Sequence, residues 1–282
     1  MAKNLDQRTT DASEFLYHYT SLSSFMGILQ CNGAENEHKD KLCFWGSRFD
    51  CMNDAIDCQY ALQLPMKIYK KNNSGSEPAR TIFPYVVSFC KKEDYLSMWR
   101  LYSSYVCLKF DKSILEKKFL PNHTECVLHD CKYEKNNISA IYSLFKTMFI
   151  VDRKTSENTI WENAQCAASF IKHESFKEED ECRLVYFSSK CKLEIQDDLT
   201  IFGNKVKIQE MPNDICFRTE GNNVIPYHKF YVHKEALKGV IVREYDDEKF
   251  ERVKEHIKLV FQKRGINVKD GEIVKSSACK IN

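Results

Sequence analysis

Glu178-Glu179-Asp180-Glu181-Cys182-Arg183-Leu184-Val185-Tyr186-Phe187 is the stretch on which the reading of this chain turns. Its second half, Cys182 to Phe187, is β-branched, apolar and aromatic, which predicts a strand. Its first half is a run of four acids entering that strand. Side chains alternate along a strand, so if the extended conformation reaches back far enough, Glu179, Glu181 and Arg183 share one face, opposite Cys182 and Leu184. A carboxylate fixed beside a guanidinium stays ionised and can stabilise a developing positive charge. The plainer reading is a solvated acidic run with a salt-bridged arginine. A metal-dependent nuclease ranks last, because neighbouring acids in a strand point to opposite faces and cannot all converge on one ion.

Upstream, Phe15 to Thr20 reads as a short strand. Ser21 then caps a helix carrying Leu22, Phe25, Met26, Ile28 and Leu29, stopped by Asn32-Gly33. Leu42-Cys43-Phe44-Trp45 predicts a second strand, and a helix from about Asp54 to Tyr69 follows, kinked at Pro65. A surface loop is expected over 72–79, where turn formers carry no apolar anchor. Ile82 to Phe89 and Tyr105 to Phe110 read as strands around a short helical piece, Leu96 to Tyr102, and 112–173 reads as a helical insertion. Past the acidic stretch, strand-like pieces fall near Leu199 to Phe202, Val206 to Ile208, Lys229 to Val232 and Val240 to Val242. An amphipathic helix, Asp247 to Arg264, presents Phe250, Val253, Ile257, Val260 and Phe261 on one face and ends at Gly265. Asn267 to Val274 is expected to return as a strand. With no repeat and no composition break, the chain reads as a single domain over 1–282 with a flexible leader, 1–13.

Composition narrows the function. Among 282 residues, 42 basic and 40 acidic side chains leave a net charge of +2, so a polyanion partner must be recognised locally rather than by bulk electrostatics. The polar leader does not read as a signal peptide, and the apolar stretch around Ile141 to Val151 is too short to span a bilayer and is interrupted by Lys146. A cytoplasmic protein with no membrane partner is expected. The 13 cysteines are odd in number, contain no CxxC and read as reduced thiols; His123, Cys126, His129 and Cys131 fit no zinc spacing, so no metal is expected. Nine glycines and the absence of GxGxxG, GxxxxGK[ST], GxSxG and HExxH weaken dinucleotide folds, P-loop enzymes, serine hydrolases and zinc proteases.

Three further constellations carry chemistry. Tyr17-His18-Tyr19-Thr20 ends a strand just before a helix N-terminus, where a histidine can bond a ligand hydroxyl and the helix end favours an anion. Trp45-Gly46-Ser47 with Asn53, Asp54 and Asp57 can line a polar pocket, although Asn53 or Asp54 equally suits a helix N-cap. Ser88-Phe89-Cys90 precedes Met98-Trp99-Arg100-Leu101-Tyr102, whose Trp99 and Tyr102 can stack on a planar ring or simply fill a core.

Taken in order, these pieces resemble the bacterial family catalogued as domain of unknown function 2971. The matching residues are Leu16 to Thr20, Asn53-Asp54 to Asp57, Ser88-Phe89 with Met98-Trp99 and Tyr102, Cys107 to Asp111, Glu179 to Leu184 and Ile225-Pro226-Tyr227. The front end also resembles an ADP-ribosyltransferase: a histidine on the first strand, a serine on the second, aromatics in the middle and a late glutamate at a strand start. The Ser-Thr-Ser usual on that second strand is missing. This second resemblance implies an α+β fold with a split mixed β-sheet core and flanking and inserted helices, binding NAD as cosubstrate without a glycine loop. It further implies that His18 holds the adenosine ribose, Ser47 supports the nicotinamide ribose, Tyr19, Trp99 or Tyr102 stacks on nicotinamide, and Glu181 is the catalytic carboxylate. Thr20, Asn53 and Asp54 would complete the NAD site. Glu179 would position or deprotonate the acceptor, and Arg183 would keep the carboxylates ionised or bind the pyrophosphate.

The function this implies is transfer of ADP-ribose from NAD to a macromolecule, single-stranded nucleic acid slightly ahead of protein, as a toxin of antiviral defence or of a toxin–antitoxin pair with an antitoxin protein as partner. Its rivals are an NAD glycohydrolase using the same pocket and a non-catalytic module that binds a nucleotide or a partner protein.

Overall fold

Broken burial along Phe15–Thr20, where Phe15 and His18 are only partly covered, and unbroken burial along Glu181–Tyr186 mark the two kinds of strand that organise the molecule, one partly open and one sealed on both faces. In the computed structural model the described residues are 14–30, 39–52, 60–63, 84–102, 104–119, 126–134, 167–186 and 215–278. In chain order the elements are β1 (Phe15–Thr20), α1 (Leu22–Gln30), β2 (Lys41–Arg48), β3 (Tyr85–Cys90), α2 (Leu96–Leu101), β4 (Val106–Asp111), α3 (Lys112–Phe119), β5 (Cys126–Asp130), β6 (Lys132–Glu134), β7 (Ile171–His173), β8 (Glu181–Tyr186), β9 (Cys216–Glu220), β10 (Asn223–His233), β11 (Leu237–Val242), α4 (Asp247–Arg264) and β12 (Ile273–Lys275). The result is an α+β fold around one large mixed sheet, ordered β12-β11-β4-β1-β3-β2-β10-β9, with β8 and β5 branching from β3. None of the described helices is long and apolar enough to cross a membrane.

The branch at β3 is the feature that makes a site. All six residues of β3 pair with β8, from Tyr85↔Tyr186 to Cys90↔Glu181, which occupies one edge of the strand completely. The other edge is shared: β2 pairs at its start, through Ser47↔Val86 and Arg48↔Tyr85, and β1 at its end, through Tyr17↔Cys90. Between those contacts β1 and β2 part, β1 turning to pair along its length with β4 and β2 with β10. The sheet is therefore split at the middle of β3, opposite Ser88.

Register assigns the faces. Glu181, Arg183, Ser88, Val86, Ser47 and Trp45 lie on one face, together with Tyr227 and Lys229 of β10. The opposite face, with Leu16, Phe44, Leu108, Leu184 and Phe230, builds the main core, against which α1 and α4 pack; Phe25 and Phe261 meet there edge to face at 6.4 Å. A smaller cluster of Tyr17, Tyr19, Met98, Trp99, Cys107 and Ile241 closes part of the first face under α2. Over Glu181 and Arg183 that face is covered by the 169–179 segment, and it stands open at Trp45.

Several sequence signals act as expected. The Ser21 hydroxyl accepts from the Ser24 amide and caps α1. In α4 the Asp246 carboxylate accepts from Lys249, acids occupy the first turn and bases the last, and Gly265 at φ 58 closes the helix with its amide bonded to Gln262. Elsewhere the chain departs from its pattern. The 112–173 segment is helical over α3 but contributes β5, β6 and β7, because β8 has a second edge that Cys126–Asp130 fills and because three-residue strands show no periodicity. Where a strand is expected over 267–274, the chain is strand over Ile273–Lys275, preceded by a short 3-10 turn. Of the predicted 54–69 helix, residues 60–63 are helical. Asn53, Asp54, Asp57, the leader, the 72–79 loop and the 199–202 and 206–208 pieces lie outside the described residues.

Candidate functional site

The acidic run does not enter β8 as a continuous extended chain. Residues Glu174–Glu179 form a 3-10 turn, Asp180 adopts a left-handed conformation with φ 43, and β8 begins at Glu181. A bulky residue would pay for that conformation, whereas aspartate tolerates it. The turn is clamped from outside: Lys91 pairs with Asp180 at 2.9 Å while its amide donates to the Asp180 carbonyl, and Lys92 and Tyr95 both bond the Glu178 carboxylate. Reversal at Asp180 brings the Glu179 and Glu181 carboxylates to one point.

That point is Lys172, a residue sequence reasoning did not select. Its ammonium donates to Glu179 Oε2 at 2.7 Å and to Glu181 Oε2 at 2.9 Å. Arg183 grips Glu181 with two bonds, Nε to Oε1 at 2.8 Å and Nη2 to Oε2 at 3.0 Å, and sends Nη1 to the Ser169 carbonyl at 2.6 Å. Glu181 is 3% exposed and Arg183 1%. Burial opposes ionisation of Glu181, but Arg183 and then Lys172 outweigh it and hold the carboxyl down at about 2. The Ser88 hydroxyl lies close enough to favour the ionised form without completing a full hydrogen bond. Two anions and two cations thus form a neutral, buried quartet. Tyr133 receives the Glu181 amide on its hydroxyl and fixes the backbone there.

The quartet floors a cleft of about 860 Å³, within the roughly 300–1,000 Å³ of small-molecule sites. Because the sheet is split, the cleft is lined from both faces: Ser47, Trp45, Ser88, Glu181 and Arg183 from one, and His18, Phe44 and the start of α1 from the other. His18 stands in the gap. Its Nδ1 lies 2.9 Å from the Ser88 carbonyl, which can only accept, so Nδ1 carries the proton and Nε2 is the acceptor of a ring that burial keeps neutral. Across the cleft, Arg218 of β9 donates to the Ser47 hydroxyl at 2.9 Å and reaches Glu220 at 3.3 Å.

Of the residues singled out from sequence, His18, Tyr19, Thr20, Ser47, Tyr102, Glu179, Glu181 and Arg183 all line this one cleft. Trp99 does not. It is 0% exposed in the smaller cluster, packed edge to face on Tyr19, with its indole N–H donated to Asp94 at 2.9 Å. Tyr19 is also held, its hydroxyl donating to the Lys92 carbonyl and receiving the Tyr95 amide. The open aromatic faces belong instead to Tyr102, 37% exposed, and Trp45, 45% exposed. Burial, then the nearby Glu181 and Glu179, push the Tyr102 hydroxyl up, so it stays protonated. Arg183 is spent on Glu181 and Ser169, which leaves Arg218 as the cation better placed to meet a phosphate. Lys172 and Arg218 carried no sequence signal, since single cations in short or isolated strands form no pattern.

Residues 98–184 match the model of a family described as a protein of unknown function (DUF2971). The match covers roughly a third of the chain. No curated protein and no solved structure matches the chain. The matched span runs from α2 to β8 and so contains Tyr102, Lys172, Glu179, Glu181 and Arg183, the floor and one wall of the cleft.

Proposed function

We propose that the cleft binds NAD and transfers its ADP-ribose to a macromolecular acceptor. The observation that carries this reading is the convergence of His18, Ser47, Tyr102, Glu179 and Glu181 at the split in the sheet. Breaking the nicotinamide–ribose bond builds oxocarbenium-like charge on the sugar, and a preorganised carboxylate stabilises that charge more in the transition state than in the ground state. Glu181 suits this role: it is ionised and rigid. A carboxylate offers about four acceptor positions, and Arg183 and Lys172 fill three, which leaves one on Oε1 for a ribose hydroxyl. His18 Nε2 accepts from the second ribose, Tyr102 covers nicotinamide, and Arg218 with the α1 N-terminus faces the pyrophosphate. Neutral nicotinamide departs with the bonding pair, the acceptor's nucleophile bonds to the anomeric carbon, and its proton passes to Glu179 or to water. Acting on the cell's own NAD, such an enzyme is a toxin, in antiviral defence or paired with an antitoxin protein.

Two other readings use the same cleft. A glycohydrolase gives the same bond cleavage with water as acceptor. A non-catalytic nucleotide-binding module draws support from the tight hold on both Glu181 oxygens, since such a carboxylate can serve as architecture alone. The discriminating experiment measures nicotinamide release from labelled NAD by wild type and Glu181→Gln, with total RNA, DNA and protein each supplied as acceptor. Release that needs Glu181 and leaves label on one acceptor class supports the transferase. Label free in solution supports the glycohydrolase, and no release under any condition refutes both.

A further inference from the structure

Trp45 projects from the face of β2 opposite the main core. Its neighbour Phe44 is buried in the main core, yet the indole stands 45% exposed at the cleft mouth. It is not loose: Tyr227, itself buried, stacks against it with ring centroids 4.8 Å apart and planes 25° apart. One indole face is thus backed and the other is presented outward as a rigid plane. In register Trp45 pairs with Lys229 and Ser47 with Tyr227, so Lys229 projects from the same face directly opposite Trp45. Arg218, shared between Ser47 and Glu220, lies beyond it. Along β2, Trp45 and Ser47 are two residues apart, about 7 Å.

We propose that Trp45 is a stacking platform for a base of a single-stranded nucleic-acid acceptor, and in this respect the inference rests on the transferase reading above. A pre-oriented flat ring suits a flat partner, and a nucleobase stacks on it whatever its sequence. Lys229 is matched to a phosphate of the strand, and with a net charge of only +2 such local contacts must supply the attraction. A base seated there lies one side-chain step from Ser47, where the nicotinamide ribose is placed, which brings the strand within reach of the anomeric carbon.

The test measures binding separately from chemistry. Fluorescence anisotropy with a labelled 15-nucleotide single-stranded RNA, and with DNA of the same sequence, is recorded for wild type, Trp45→Ala, Trp45→Leu and Trp45→Phe without NAD. Nicotinamide release into water is measured in parallel. Losing one base stack weakens binding by between about 5-fold and about 150-fold. Trp45→Ala and Trp45→Leu are expected to show that loss and Trp45→Phe to keep most of the affinity. The better-bound oligonucleotide names the acceptor. Equal binding by wild type and Trp45→Ala overturns the platform even where nicotinamide release persists, as does a wild type that binds neither oligonucleotide and labels protein. Absence of nicotinamide release with Trp45-dependent binding intact refutes the transferase and leaves the platform as a nucleic-acid site.

Discussion

Replacing Glu181 by glutamine removes the carboxylate at the centre of the quartet, and the pH dependence of the resulting stability change follows from its titration. In the folded protein this carboxyl titrates at about 2, against 4.5 for the free side chain. The difference corresponds to about 3 kcal/mol of stabilisation. Since the folded value lies below the unfolded one, that contribution is complete above pH 4.5 and is lost as the pH falls towards 2. About 2 kcal/mol of it is gone by pH 3. Carboxylates remote from the quartet titrate alike in both proteins and cancel in the difference between them. Urea unfolding of wild type and Glu181→Gln at pH 6, 5, 4 and 3 should therefore show wild type the more stable at pH 6, with the gap shrinking by about 2 kcal/mol at pH 3. A gap that stays constant from pH 6 to pH 3 would mean that Arg183 and Lys172 do not hold Glu181 ionised, and the electrostatic argument for its role would fall with it.

Three further outcomes are expected. Lys172→Met removes the buried ammonium that the Glu179 and Glu181 carboxylates share and should cost about 3–5 kcal/mol in chemical unfolding. Adding Glu179→Gln to it restores neutrality, so the double variant should be more stable than additivity allows, and additive losses would refute the coupling. At Asp180 both glycine and alanine remove the Lys91 pair, but only alanine meets the left-handed strain, so Asp180→Ala should be about 1 kcal/mol less stable than Asp180→Gly by thermal or urea unfolding. Gly46→Ala drives a Cβ into the buried Phe230 ring and should cost about 1–3 kcal/mol, read as a lowered melting temperature.

What the sequence revealed depended on whether the signal was local. The helix at 247–264 was legible because its apolar stripe, caps and stop glycine all lie within one segment. Glu181 and Arg183 were legible because a charged pair two apart at a strand start shares a face in any sheet. Glu179 joins them by another route than alternation, a left-handed turn that only the backbone displays. Lys172 was invisible: it sits in a three-residue strand that pairs in parallel with β6, and its meaning comes from residues on β8. Trp99 and Tyr102 look alike at spacing three, yet Trp99 meets Tyr19 and Asp94 while Tyr102 meets the cleft. Tertiary contacts chose between them.

The position of the cleft follows from backbone bonding. On the edge of β3 that β1 and β2 share, Val86 is paired by Ser47 and Cys90 by Tyr17, so Ser88 between them faces the gap. A carbonyl left there without a partner costs about 1–3 kcal/mol once buried. Among the described residues no strand pairs with Ser88 on this edge, and the His18 ring meets its carbonyl instead. That bond fixes the tautomer and turns Nε2 into an acceptor, so one contact both repairs the split in the sheet and prepares a polar group in the cleft that Glu181 helps to floor. A His18→Phe variant keeps the aromatic packing on Phe44 and Phe89 but leaves the Ser88 carbonyl unmet. It should lose both stability and affinity for a ribose-bearing ligand, whereas His18→Asn, which still offers a donor and an acceptor, should retain part of each. If the two variants bind NAD equally in calorimetric titration, the ring nitrogen is a structural patch and the ligand's hydroxyls are held elsewhere in the cleft.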